Sequence, residues 1–89
     1  MLSEKIEIIN HLGLHARAAA KFVSTATRFG CAIKISKEDR EVDGKSIMSV
    51  MMLAASCGSL VIISCDGADE SEALSAIKAL INDRFGEEQ

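Results

Sequence analysis

His15 and Arg17 stand two residues apart in the stretch GLHARAAA, Gly13 to Ala20, at the mouth of an alanine-rich run. Alanine favours helix. Basic side chains usually collect at a helix C-terminus, where the dipole is negative. Two of them at the start call for another explanation. The first turn of a helix offers N–H groups without partners and a partial positive charge, so an anion is welcome there. The same field disfavours protonation of a neighbouring imidazole, which leaves His15 a neutral nucleophile near pH 7. Arg17 adds a fork of donors matched to phosphate oxygens. With the backbone N–H groups of Ala16, Arg17 and Ala18, the pair describes a site that forms and holds a phosphohistidine. Taken alone, a histidine at this position is as well a cap or a surface residue. His11 is the contrast. It sits in the loop with no arginine two residues on, and reads as solvated polarity without chemistry.

The elements that must position these residues are legible from periodicity. KIEIIN, Lys5 to Asn10, reads as a strand with Ile6 and Ile8 on one side. Asn10 and Gly13 mark a loop. From Ala16 to Phe29 the residues Ala19, Phe22, Val23, Ala26 and Phe29 keep helical spacing, with Arg28 in the last turn and Gly30 as the stop. CAIKIS alternates as a strand, KEDR turns, and EVD returns. Gly44 opens a second loop. Ser46 is a good N-cap for a short helix from Ile47 to about Ala55, ended by Gly58. SLVIIS reads as a central strand because its apolar residues are nearly continuous. Asp69 with Glu72 is a capping-box-like start. The helix that follows shows Ala73, Leu74, Ile77, Leu80 and Ile81 on one stripe. The order β-α-β-β-α-β-α places helices on one side of a small, mostly antiparallel sheet.

Bulk properties exclude several classes. Eighty-nine residues without proline, linker or repeat make one domain, residues 1–89. Apolar residues are 48% and charged ones 26%, an ordinary globular composition. The net charge is −3, basic residues are scattered, and Trp and Tyr are absent, so no nucleic-acid footprint is present. Cys31, Cys57 and Cys65 lack CxxC spacing, which suggests neither a zinc site nor a redox pair. They read as small buried hydrophobes in a reducing cytosol. Glu4 and Glu7 stand where a signal peptide needs an apolar core. The longest apolar stretch, Ile47 to Ile63, is interrupted and shorter than the roughly 20 residues of a membrane span. A cytoplasmic protein without membrane insertion is the expectation.

GLHARAAA resembles the active-site motif of the HPr family, the histidine-containing phosphocarriers of the bacterial phosphotransferase system, whose common form is GLHARPA. A second stretch, GKSIMSVMMLAA from Gly44 to Ala55, resembles that family's regulatory-serine segment. The separation of the two and the element order also match, over essentially the whole chain. The resemblance implies an α+β open-faced sandwich, four antiparallel strands with three helices on one face. It implies that His15 accepts phosphate at Nδ1 from phosphorylated Enzyme I or a homologue, itself charged by phosphoenolpyruvate. The phosphate then passes to the histidine of a IIA-type protein. Arg17 becomes the phosphate contact and Ser46 the candidate regulatory phosphosite, for HPr kinase/phosphorylase where the host has it. The expected molecule is a monomeric carrier rather than an enzyme, with no metal and no cofactor beyond the covalent phosphate.

Ser46 is first of all a cap, and a phosphate at a helix N-terminus is locally favourable. Its negative charge would also weaken encounter with an acidic partner. In the short helix Ile47, Val50 and Ala54 fall on one stripe, and Met48, Met51, Met52 and Ala55 on another. A surface helix needs only one. The surplus suggests an adaptable docking patch of Ile47, Met48 and Met51, with Arg17, Lys21, Arg28 and Lys45 as basic docking residues. The sequence departs from the family at Ala18, where proline usually stands. Alanine restores an N–H and loosens the backbone slightly. The alternatives are a nitrogen-branch phosphocarrier of the same family, and a metabolite-binding α/β module in which His15 has no role.

Overall fold

The computed structural model describes residues 1–89. Its elements run β1 (Leu2–Glu7), α1 (Ala16–Ala26), β2 (Ala32–Lys37), β3 (Arg40–Asp43), α2 (Ile47–Met52), β4 (Leu60–Asp66) and α3 (Glu70–Asn82), followed by a single turn, Arg84–Gly86. The sheet order is β1-β4-β2-β3 and each neighbouring pair is antiparallel. This is the expected α+β open-faced sandwich.

Register explains which face is covered. Ile6 pairs with Val61, Ile33 with Cys65 and Ile35 with Ile63. All six are buried and point toward the helices, where they meet Phe22, Val50, Ile77 and Ile81. Each fully buried side chain of this size contributes about 1.5–3 kcal/mol through removal of apolar surface from water. The intervening residues form the open face.

β4 is central, but not for the reason its composition suggested. Leu60 is 55% and Ile62 40% exposed, on the open face opposite Glu7 and Lys5. An apolar run usually marks a strand covered on both faces, and here one face is bare.

The ends of the helices also differ from expectation. α1 stops at Ala26. Arg28 and Phe29 donate to the carbonyls of Thr25 and Ala26, three residues back, and this tighter turn replaces the helix. Phe29 still packs against the core. α2 ends at Met52, since Ala54 turns the chain with a left-handed φ of 56°. Leu53 and Ala55 thereby swing into the core, and Val50 is the one buried residue of the helix. The two proposed stripes are therefore redrawn: Ile47 and Ala54 are exposed, and Ala55 is buried.

α3 starts at Asp69 without a capping box. Asp69 instead accepts the N–H groups of Gly30 and Cys31, at 2.9 and 3.0 Å. Glu70, not Glu72, reaches back to an orphan donor, the N–H of Gly67. Cys31 and Cys65 are buried as read, while Cys57 is exposed. Burial pushes the Cys65 thiol up to about 11, which keeps it unreactive. No helix is long and apolar enough to cross a membrane.

Candidate active site

His15 is the N-cap of α1, with extended backbone at φ −74°, ψ 178°. Its carbonyl accepts the Ala19 N–H at 2.8 Å, closing the first helical turn. Its ring makes no capping bond. The loop before it is fixed by Gly13, which has φ +67°. A Cβ at this residue would lie 2.6 Å from the Ala55 carbonyl oxygen. That close approach lets Leu14 donate to the same oxygen at 2.9 Å, so the loop is bound to the segment after α2.

The ring is held from the far end of the chain. His15 Nε2 lies 2.5 Å from Glu87 Oε2. The second oxygen of Glu87 accepts from Asn10 Nδ2 at 3.0 Å, and Nδ2 also donates to the Gly13 carbonyl at 2.8 Å. The His15 hydrogen bond holds the Glu87 carboxyl below its ordinary value of 4.5, against the opposing effect of desolvation. Glu87 is therefore ionised at neutral pH and can only accept, so the hydrogen in this contact belongs to Nε2. In the neutral ring Nδ1 then carries the lone pair. The His15 side chain remains 28% exposed, against 13% for Glu87.

Glu87 reaches the ring because the chain doubles back after α3. Arg84, Phe85 and Gly86 take left-handed φ values of 55°, 55° and 77°. Phe85 is fully buried, and that packing holds a conformation side chains otherwise avoid. Beyond it, the Gln89 carbonyl accepts the His11 N–H at 3.0 Å. The result is an open cleft of about 630 Å³ lined by His11, Leu12, His15, Ala16, Arg17, Glu87 and Gln89.

Arg17 is exposed and takes part in no intramolecular ion pair. Its guanidinium and the first-turn N–H groups of Ala16, Arg17 and Ala18 can meet an anion at the helix start. The side chain of Ala18 itself is fully buried in the core. Ser46 caps α2 as expected, its Oγ accepting the Ser49 N–H at 3.3 Å. Ile47, Met48 and Met51 are exposed, with Met48 at 67%. Lys45 donates to the Phe29 carbonyl at 2.7 Å, which fixes its ammonium beside the end of α1.

Sequence reasoning missed Asn10 and Glu87. Asn10 looked like loop punctuation but is fully buried. The signal for Glu87 was Phe85-Gly86, an apolar residue beyond a helix stop followed by a turn residue. His11 is exposed as read, yet its backbone helps to close the cleft.

A histidine ring with one nitrogen committed and the other free, at a helix start that can hold an anion, is suited to carrying a phosphoryl group. The family model described as PTS HPr component phosphorylation site matches residues 2–83, and the chain belongs to that HPr family of phosphotransferase-system phosphocarriers. The chain is 54% identical to phosphocarrier protein HPr of Neisseria meningitidis over 87 residues, 98% of each chain. It is 55% identical to phosphocarrier protein HPr of Cupriavidus necator with the same coverage. The crystal structure of HPr-C-His from Thermoanaerobacter tengcongensis superposes with a TM-score of 0.97 at 47% identity, covering 100% of both chains.

Proposed function

We propose that His15 Nδ1 takes phosphate from phosphorylated Enzyme I and passes it to a histidine of a IIA-type protein. The observation that carries this reading is the free Nδ1 beside the unpartnered first turn of α1 and the unpaired Arg17. Arg17 and the N–H groups of Ala16, Arg17 and Ala18 hold the phosphate oxygens. The protein acts as a cytoplasmic monomeric carrier rather than an enzyme, and the phosphate is the only group it holds. Ile47, Met48 and Met51, with Lys21 and Lys45, form the surface that both partners meet in turn. Ser46 is the site at which a kinase restrains the transfer.

The test is incubation with phosphoenolpyruvate and Enzyme I, read as an acid-labile mass increase. His15→Ala abolishes it. A mass increase that persists in His15→Ala overturns the assignment to His15, and its absence from the parent leaves a metabolite-binding module in the carrier's place.

A further inference from the structure

We propose that Glu87 is a positioning residue for phosphoryl transfer, acting through His15 and itself set by Asn10. The proposal rests on the reading of His15 as the phosphate acceptor. Both Glu87 oxygens are engaged, one by Asn10 and one by the imidazole. The Asn10 amide is oriented by its neighbours. Gly13 O and Glu87 Oε1 are both acceptors, so the NH₂ group must face them. That orientation leaves Asn10 Oδ1 buried without a partner. Such orphans are uncommon in folded proteins. The two amide hydrogens account for it: one pins the loop before His15, the other pins the carboxylate that grips the ring.

The consequence is chemical. Nε2–H is donated to a group that cannot return a proton, so the attacking lone pair is confined to Nδ1. Attack forms the Nδ1–P bond. The N–P bond of the donor phosphohistidine breaks, and its electron pair leaves with the donor nitrogen. No proton moves on the carrier. The His15 ring becomes cationic, and the Glu87 carboxylate sits 2.5 Å from the nitrogen that shares the charge. The attraction is stronger for the charged ring than for the neutral one, which is the condition for accelerating the step.

The experiment combines phosphoryl transfer from Enzyme I charged with phosphoenolpyruvate and imidazole NMR of ¹⁵N-histidine protein. Glu87→Ala lowers kcat about 10- to 100-fold, the scale seen when the carboxylate that orients a metal-ligating histidine is removed. KM barely changes, and the hydrogen-bonded Nε2–H resonance is lost. Glu87→Gln still accepts from Nε2–H without the charge, so it keeps the resonance and recovers part of the rate. Glu88→Ala, at an exposed neighbour, leaves both readouts unchanged. A folded Glu87→Ala with parental kcat, or with a raised KM alone, overturns the proposal. If Glu87→Ala does not fold, parental kcat in Glu87→Gln does so. Failure of the parent itself to take phosphate on His15 sinks the carrier reading instead.

Discussion

The ammonium of Lys21 lies 2.6 Å from the carbonyl oxygen of Phe85, joining the middle of α1 to the turn that carries Glu87. The lysine expected to dock partners thus also secures the C-terminal segment. Lys21→Met keeps most of the stem and removes the donor. It should cost about 1.5 kcal/mol, within the range for hydrogen bonds to charged groups. For a domain of this size that lowers Tm by roughly 6–12 °C. An unchanged Tm in thermal denaturation counts against the tie.

Ala54 occupies a left-handed conformation that glycine adopts without cost, and its side chain is exposed. Ala54→Gly should raise stability by about 1 kcal/mol. The corresponding Tm increase is roughly 4–8 °C. A lower Tm would mean that the chain entropy lost with glycine outweighs the relief of strain.

How far the sequence reveals these features depends on range. Strands and helices announce themselves through periodicity, so the order, the sheet class and the stripe of α3 could all be read. His15, Arg17 and Ser46 were legible because a short motif places them at helix starts. What stayed hidden depends on contacts across the chain. Glu87 meets His15 across 72 positions, and Phe85-Gly86 before it marks a turn without showing where the turn leads. β4 reads as central and is, but its apolar run does not reveal that Leu60 and Ile62 lie on the bare face of the sheet.

Met48 projects from a helix whose inner face is Val50 alone. Met48→Asp should leave the fold intact and raise KM for Enzyme I about tenfold, the effect of losing roughly 1.4 kcal/mol of docking energy. Steady-state transfer kinetics separate this from a change in kcat. A parental KM removes Met48 from the docking surface.

Ser46 allows its two roles to be separated. Ser46→Ala loses the bond to the Ser49 N–H and should cost about 1 kcal/mol of stability with transfer unaffected. Ser46→Asp keeps an N-cap and adds charge beside the docking patch, so it should slow transfer from Enzyme I. Equal transfer rates in the two variants would argue against regulation at this serine.

Acid stability should follow the carboxylates that accept backbone hydrogens. Hydrogen bonds led by the Gly30 N–H hold the Asp69 carboxyl below its ordinary 3.8. A lowered native value means that its stabilisation is fully present above the unfolded value and fades as pH falls through the native one. Asp69→Asn should therefore be less stable than the parent at neutral pH, with the difference shrinking below about pH 4. Denaturant titrations across that range measure it. A constant difference would assign the loss to geometry instead of charge.

The two outer strands of the sheet have a consequence for life at high concentration. A free strand edge is a template on which another chain can add. β3 has only four residues, Arg40–Asp43, with charges at three of them, and β1 carries Glu4, Lys5 and Glu7. Neither edge offers a long apolar ladder, so the bare face of Leu60 and Ile62 lies inside a charged frame. A carrier that must stay dispersed while presenting apolar side chains to its partners is protected from stacking into fibrils by its rim.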